Sequence, residues 1–127
     1  MADTTHGLRY TTTHEWARSE GGDLVTVGIT DIGRQALGKV VYIEFPVVGR
    51  RVNRGEPCAV VETSKSVCDI CSPVSGQVLL VNERLSEDCA LLGYDAYEAW
   101  LFQLRVTNAG ELEQLLDAAA YRALTAG

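Results

Sequence analysis

Residues 58–73 read CAVVETSKSVCDICSP, and the rest of the chain is arranged around them. Two short apolar segments, residues 59–61 and residues 67–70, lie on either side of a small polar tip at residues 63–66. Small polar residues between β-branched segments are typical of a tight hairpin turn. The pattern therefore predicts a β-hairpin that holds the side chain of Lys65 out in the solvent.

The lysine at this tip can be interpreted in two ways. Lysines are common on hairpin turns, because charge keeps a turn hydrated and discourages the aggregation of strand edges. Alternatively, a short rigid turn presents an amine to an enzyme that attaches a group to it. Lys65 and Lys39 are the only lysines among the 11 basic residues, all the others being arginine. This scarcity favours the second interpretation.

The sequence also repeats itself around the tip, which a simple surface lysine would not require. Residues 75–76 open the apolar segment 77–81. Residues 37–38 open the segment 39–43 in a similar way. A short internal repeat whose halves meet at a turn predicts two similar β-layers related by a pseudo-twofold axis.

Composition limits the class of protein. The chain is long enough for one domain, residues 1–127, in which residues 1–8 are predicted to be flexible. The net charge of −6 argues against binding to nucleic acid or anionic membranes, which need a basic surface. No apolar segment approaches the ~20 residues of a transmembrane helix, and the N-terminus lacks the pattern of a signal peptide. We therefore expect a cytoplasmic protein that docks on basic faces of its partners.

Alternation and turn signals divide most of the chain into short strands. The predicted strands are residues 10–18, 24–29, 40–45, 59–61, 67–70, 77–81 and 100–104, with a hairpin turn at residues 20–23 and an irregular segment over residues 82–99.

Three short helices are predicted between and after the strands. The first begins at the cap Thr30-Asp31 and ends at residues 37–38. Asn108 and Asp117 are predicted to cap two C-terminal helices. Leu112, Leu115 and Leu116 are predicted to form the apolar stripe of the first of these two.

With these segments assigned, the chain resembles a known family over almost its whole length. Residues 62–66 with residues 72–76 look like the modified hairpin of lipoyl carriers, whereas the related biotin carriers have methionine on both sides of their lysine. The wider chain resembles the H protein of the glycine cleavage system. The matching landmarks are Tyr10 with residues 13–16 (THEW), 27–31 (VGITD), 37–38 (LG), 44–46 (EFP), 48–49 (VG), 55–57 (GEP), 59–62 (AVVE), 73–76 (PVSG) and 115–118 (LLDA) with Tyr121.

The resemblance implies a mainly β fold, a lipoyl/biotinyl-type barrel-sandwich hybrid of two antiparallel sheets with short peripheral and C-terminal helices. It implies that Lys65 carries lipoic acid as an amide. It also implies that the attaching enzyme recognises the hairpin through Glu62, Asp69 and Gly76. The loaded arm would fold back into a cleft to which Glu15 and Asp69 contribute. The implied partners are a lipoate–protein ligase or lipoyl transferase, dihydrolipoamide dehydrogenase and the glycine cleavage enzymes.

A tethered dithiolane explains why such a carrier needs no catalytic residues of its own. Relaxed disulfides prefer a torsion angle near ~90°, which a five-membered ring cannot reach, so the S–S bond of the ring is strained and opens readily. A group on a flexible arm meets docked partners at high effective concentration. The sequence contains no evident set of nucleophile, base and orienting residue, and we expect a non-catalytic carrier.

The four cysteines, Cys58, Cys68, Cys71 and Cys89, are predicted to remain thiols. Cys68 and Cys71 form a C-x-x-C motif, but residues three apart on a strand point to opposite faces, so a thioredoxin-like pair is not expected. Cys68, and Cys71 if its side chain is exposed, lie close enough to the arm for thiol exchange with it. No metal site is predicted, because the two histidines lie far from the cysteines in sequence. His14 is instead predicted to pack or to form a hydrogen bond.

Three features depart from the usual H-protein pattern. Residues 95–100 (DAYEAW) lack the glycines that the family has before its tryptophan. Ala36 stands where some relatives have a histidine. The cysteines are the third departure. Together these features resemble a divergent H-like branch, the lipoate-binding proteins linked with sulfur oxidation through a heterodisulfide-reductase-like complex. There the arm would carry sulfur rather than an aminomethyl group.

Three hypotheses therefore stay open from the sequence. The first is a lipoyl carrier that serves either glycine cleavage or sulfur oxidation. The second is a lipoyl donor or relay protein that passes lipoyl groups to other carriers in lipoate assembly. The third is a structural β-domain in which Lys65 has no function.

Overall fold

The computed structural model of the chain describes residues 8–89, 92, 99–108 and 110–126. Within these residues the strands are β1 (Leu8–Tyr10), β2 (Glu15–Ser19), β3 (Leu24–Ile29), β4 (Val40–Glu44), β5 (Arg51–Val52), β6 (Pro57–Thr63), β7 (Val67–Cys71), β8 (Gly76–Val81) and β9 (Phe102–Val106). The helices are α1 (Asp31–Leu37), α2 (Glu83–Glu87), α3 (Gly110–Glu113) and α4 (Ala118–Ala126).

The strands form two antiparallel sheets. The larger sheet has six strands in the order β1-β2-β3-β9-β8-β5, and the smaller has three in the order β4-β6-β7. The predicted fold of two antiparallel sheets with short helices is confirmed. The sheets differ in size, however, so the internal repeat does not produce two layers with equal numbers of strands.

The side chains between the sheets form the main hydrophobic core. Side chains alternate along a strand, and in β6 this alternation buries Ala59 and Val61. Val27 of β3 and Phe102 and Leu104 of β9 belong to the same cluster, and all three are fully buried. Each fully buried large apolar side chain stabilises a fold by roughly 1.5–3 kcal/mol. This packing anchors the ribbon of β6 and β7 against the larger sheet.

A second, smaller cluster fixes the C-terminal helix. It consists of Leu8, Tyr10, Trp16 and Tyr121. The rings of Tyr10 and Tyr121 stack with their centroids 4.6 Å apart. Through this cluster α4 packs on the outside of β1 and β2, as the C-terminal helices were predicted to pack on the β body.

The first predicted helix is confirmed together with both of its caps. The hydroxyl of Thr30 accepts a hydrogen bond from the Gly33 amide at 3.1 Å, which satisfies one of the free amides at the start of α1. Gly38 follows the last residue of the helix with φ of 79°, a conformation that glycine adopts without steric cost. The tight connection from β3 to β4 thus follows from local sequence.

Several predicted boundaries differ from the structure, and the short strand β5 was not predicted. The first extended segment is two strands, because residues 11–14 turn between β1 and β2. The segment over residues 82–99, predicted to be irregular, contains α2, whose cap is the Asn82 side chain. β9 begins two residues later than predicted. Leu115 and Leu116 lie beyond the end of α3, where Leu116 pairs with Tyr10 instead of extending a helical stripe.

Two sequence predictions fall mostly outside the described residues. Of the altered segment at residues 95–100, only Ala99 and Trp100 are described. Of the start predicted to be flexible, residues 1–8, only Leu8 is described, and it is buried in β1. Among the helices of the described part of the chain, none is long and apolar enough to cross a membrane.

Gly76 at the start of β8 provides a test of the packing between strands. A Cβ at this position would lie 2.5 Å from the carbonyl oxygen of Arg105, a backbone atom that cannot rotate away. We expect Gly76→Ala to lower the free energy of unfolding by about 1–3 kcal/mol, measured by urea denaturation. Leu80→Ala, on the same strand and 53% exposed, is the control, with an expected change within about 0.5 kcal/mol. Equal losses in the two variants would contradict this explanation.

Candidate functional site

The predicted hairpin is present, with a two-residue turn at its tip. β6 pairs with β7 so that Glu62 lies opposite Val67. The Thr63 amide then donates to the Ser66 carbonyl at 2.8 Å, which leaves Ser64 and Lys65 as the turn. Two-residue hairpin turns usually need positive φ angles, but among the described residues other than glycine only His14 has one. Side-chain hydrogen bonds, rather than positive φ angles, therefore stabilise this turn.

The hydroxyl of Thr63 forms these stabilising hydrogen bonds. It accepts hydrogen bonds from the amides of Lys65, at 3.2 Å, and Ser66, at 3.0 Å. Such bonds from a threonine side chain mimic a backbone turn. A further bond, from the Ser64 amide to the Lys39 carbonyl at 3.2 Å, ties the tip to the start of β4. The backbone that carries Lys65 is thus held at three successive residues.

The Lys65 side chain projects from this rigid turn into the solvent. The residue is exposed, and within the described residues no carboxylate forms an ion pair with its ammonium group. The prediction of an accessible amine at the tip is confirmed.

The three residues that the resemblance assigned to enzyme recognition do not lie together. Glu62 and Asp69 are diagonal neighbours on one face of the β6–β7 ribbon, since Glu62 pairs with Val67 and side chains two apart share a face. Gly76 is buried in the larger sheet against the backbone of Arg105. The structure places Gly76 in close packing with β9, and recognition of Glu62, Asp69 and Gly76 by an enzyme stays a prediction.

Glu15, the first residue of β2, has a buried carboxyl group. The residue is only 2% exposed, and its Oε1 accepts hydrogen bonds from the hydroxyls of Thr11 and Thr13, each at 2.6 Å. The backbone of Cys71 in the smaller sheet also forms a hydrogen bond with this carboxyl. Glu15 therefore links the two sheets at the end of the hairpin opposite the tip.

Burial raises the pKa of Glu15 above its ordinary value of 4.5. The hydroxyls of Thr11 and Thr13, the backbone of Cys71 and the nearby His14 act in the opposite direction and favour the ionised form. The balance leaves a carboxyl that takes up a proton more readily than a surface glutamate does.

A cleft of about 340 Å³ opens beside Glu15. This volume is within the range of small-molecule sites, which is roughly 300–1,000 Å³. The lining residues are 10–13, 15, 54–55, 71–73 and 114–116. Across it Arg54 donates a hydrogen bond to the side chain of Gln114. Asp69, predicted to contribute to the same site, does not line this cleft, although it is two residues from Cys71 on the same strand.

The cysteines occupy different environments, and all four are free thiols. Cys58 is buried, and burial raises the pKa of its thiol to about 12. Burial also raises the pKa of Cys71, with Glu15 and Asp69 adding to the effect. A raised pKa lowers the fraction of reactive thiolate. Cys68 lies near the tip, with its sulfur 3.8 Å from the Ser66 hydroxyl. Of the two thiols predicted to exchange with the arm, Cys68 is therefore better placed, and the raised pKa of Cys71 makes its thiol less reactive.

The histidine in this region pairs with an aromatic hydroxyl. His14 Nδ1 lies 2.7 Å from the hydroxyl of Tyr121, which confirms the prediction of a hydrogen-bonding role. Within the described ranges, no three His, Cys, Asp or Glu side chains are grouped so that they could hold a metal ion.

Sequence reasoning missed several residues of the site. Thr11, Thr13 and Thr63 were assigned no hydrogen-bonding role, although threonines within four residues of a glutamate or beside a turn are a usable signal for local hydrogen bonds. Tyr121 was noticed only as a landmark of the resemblance. Nothing local indicates that a tyrosine 107 residues from His14 would contact it.

Comparison with known proteins identifies relatives along the whole chain. The family model described as "Glycine cleavage H-protein" matches residues 8–126. The glycine cleavage system H protein of Methylococcus capsulatus is 48% identical over 124 residues, 98% of each chain. That of Azoarcus sp. is 46% identical over 121 residues, 95% of each chain.

A solved structure agrees with these sequence matches. The crystal structure of a glycine cleavage system H protein from Mycobacterium marinum superposes with a TM-score of 0.85 at 35% identity, covering 95% of this chain and 98% of that one. These comparisons give no support to a role in sulfur oxidation or in lipoate assembly, so those two alternatives are set aside.

The raised pKa of Glu15 predicts a pH dependence of stability. The folded chain favours the protonated carboxyl, so this contribution to stability is complete below about 4.5, the ordinary value, and is lost as the pH rises through the raised value. We expect Glu15→Gln, which removes the charge, to be more stable than the wild type at neutral pH. The difference should shrink as the pH falls through the raised pKa of Glu15 toward the ordinary value of 4.5.

Thermal unfolding measured between pH 4 and pH 8 checks this expectation. Glu44→Gln, which removes a carboxylate from an exposed position on β4, is the matched control. A Glu15→Gln protein that is less stable than the wild type at neutral pH would show that the ionised form is the favoured one.

Proposed function

The chain belongs to the glycine cleavage H-protein family, a family of lipoyl carriers, and from that premise we propose that Lys65 is the residue to which lipoic acid is attached. The attachment is an amide on Nζ. The observation that carries the proposal is the exposed Lys65 side chain on a turn closed by the Thr63 hydroxyl. The chain presents the modified lysine in turn to the enzymes of glycine cleavage and has no catalytic step of its own.

The residues around Lys65 fit such a group. An attaching enzyme must reach the amine from outside, and Lys65 is exposed with no ion-pair partner within the described residues. The turn is rigid, so the position of the attachment point is defined while the side chain beyond it stays free. When bound, the dithiolane supplies a strained S–S bond whose sulfur atoms accept and release an aminomethyl cargo.

Glu15 is proposed to bind the cargo in the cleft beside it, at the end of the hairpin opposite Lys65. An amine-bearing cargo is cationic near neutral pH, and a carboxylate with 2% exposure interacts with a cation more strongly than a carboxylate in water does. The hydroxyls of Thr11 and Thr13 favour the ionised form of Glu15 that this role needs. The walls of the cleft include Pro73 and Leu116, whose apolar side chains reduce the contact of the bound group with water.

Asp69 is proposed to act together with Glu62 at the outer face of the ribbon. Both carboxylates flank the tip on one face, where an attaching enzyme with basic side chains could dock. Asp69 also lies two residues from the cleft, which supports its second proposed role beside the arm. Gly76 contributes through the close packing of β8 rather than through a side chain.

The proposed partners follow from the family and from the charge of the chain. They are a lipoate–protein ligase or lipoyl transferase, the other enzymes of glycine cleavage and dihydrolipoamide dehydrogenase. The net charge of −6 favours docking on basic surfaces. Thiol exchange between the arm and Cys68 or Cys71 stays a prediction, and it is less favourable at Cys71 because of the raised pKa of that thiol.

The site of attachment can be tested with the two lysines of the chain. We expect Lys65→Arg to abolish the mass increase of one lipoyl group when the protein is produced in a lipoate-competent host. Lys39→Arg is the matched control, because Lys39 is the only other lysine and is also exposed. Intact mass spectrometry measures both. Modification of the Lys65→Arg protein would refute the assignment.

The role of Glu15 can be tested by the lifetime of the loaded protein. We expect Glu15→Gln to lose its cargo roughly 10-fold faster than the wild type in the absence of partner enzymes, since a charge-assisted bond is replaced by a neutral one. Mass spectrometry over time follows the loss, with the exposed Glu44→Gln as control. If both variants keep the cargo as long as the wild type, Glu15 does not protect it.

A further inference from the structure

Tyr121 connects the C-terminal helix to the segment that carries Glu15. Its hydroxyl lies 2.7 Å from His14 Nδ1 and 2.8 Å from the hydroxyl of Thr30. Its ring stacks on Tyr10, with an angle of 9° between the planes. One side chain of α4 thus contacts the end of β1, the residue before Glu15 and the cap of α1.

The backbone at His14 needs this support. Its φ of 71° lies in the left-handed region, which residues other than glycine rarely adopt. Such a conformation is costly for a residue with a Cβ and persists only where neighbouring contacts hold it. Here the Thr30 amide donates to the His14 carbonyl at 2.9 Å, and the Tyr121 hydroxyl holds the imidazole. The residue is fixed at both its backbone and its side chain.

The conformation of His14 determines where Glu15 and its two hydroxyl partners meet. Thr11 and Thr13 come just before His14, and both donate to Glu15 Oε1. The Thr11 amide also donates to the Glu15 carbonyl at 2.9 Å, so the turn closes on Glu15 itself. Rotation of the backbone at His14 would move Thr11 and Thr13 relative to the carboxyl group.

We propose that Tyr121 is a positioning residue, whose hydroxyl holds the strained turn at residues 11–14 so that two threonine hydroxyls remain on the Glu15 carboxyl group. The inference deepens the proposed function and rests on the cargo-binding role of Glu15. Tyr121 does not line the cleft beside Glu15, so it acts on a cargo only through the turn. The C-terminal helix is then part of the site and not only a cover for the sheet.

The charge state of Glu15 reports on this arrangement. The titratable or charged groups near it are His14 on its own loop, Cys71 of β7, Cys58 of β6, Tyr121 of α4 and Arg54 across the cleft. Burial raises the pKa of Tyr121, so its hydroxyl stays protonated and can donate to one neighbour while it accepts from the other. Tyr121→Phe removes this hydroxyl and keeps the ring that stacks on Tyr10.

The experiment is a carbon NMR titration of the Glu15 carboxyl in the full-length protein, before and after lipoate attachment. We expect Tyr121→Phe to raise the midpoint of the Glu15 titration by roughly 0.5–1 pH unit, because displaced hydroxyls of Thr11 and Thr13 stabilise the ionised carboxylate less. Thr13→Ala removes one donor directly and should move the midpoint in the same direction. Tyr42→Phe, which removes a hydroxyl from a 54% exposed tyrosine, is the control and should leave the midpoint unchanged.

The result decides the proposal independently of the cargo. If Thr13→Ala moves the midpoint and Tyr121→Phe does not, the hydroxyl of Tyr121 does not position the turn and the proposal is overturned. The titration uses protein without cargo, so its outcome stands even if Glu15→Gln keeps its cargo and the cleft role fails. If the Tyr121→Phe protein shows a raised midpoint and a thermal unfolding curve like that of Tyr42→Phe, the hydroxyl of Tyr121 positions the turn at residues 11–14 without a large effect on overall stability, as proposed.

Discussion

The antiparallel pairing of β6 with β7, with one face of the ribbon buried, is the constraint on which the other features depend. Val61 and Ile70 are buried in the core, and because side chains alternate, Glu62 and Asp69 must then lie on the outer face. A slip of one residue would turn these carboxylates into the apolar core. The register is therefore strongly fixed, and with it the two-residue turn of Ser64 and Lys65.

Most of the fold could be predicted because its elements are specified by local sequence. The strand at residues 24–29, the capped helix α1 and the central hairpin depend on alternation, capping and turn chemistry, which act over a few residues. The errors occurred where distant contacts decide. Leu116 pairs with Tyr10 of β1, so the helix that its spacing suggested ends early. The turn that divides the first extended segment depends on the left-handed His14.

The site was predictable in part for the same reason. An exposed Lys65 follows from the hairpin alone. The burial of Glu15 does not, because it results from the approach of the smaller sheet at Cys71 and from the loop of threonines. The sequence shows that Glu15 precedes Trp16, but it does not show that the distant backbone of Cys71 will bury the Glu15 carboxyl group. The contact of Tyr121 with His14 spans nearly the whole chain and has no local signal.

The bond between Glu15 and the Cys71 backbone also affects how two molecules meet. β7 is an outer strand of the smaller sheet, and outer strands offer free amides to which a strand of another molecule can add. At Cys71 the backbone is already engaged by a carboxyl group from the larger sheet. A strand that paired with β7 here would have to displace the Glu15 carboxyl group, and its own carbonyl oxygens would then lie close to that group. The buried glutamate therefore also occupies part of the edge of β7 to which another strand would have to pair.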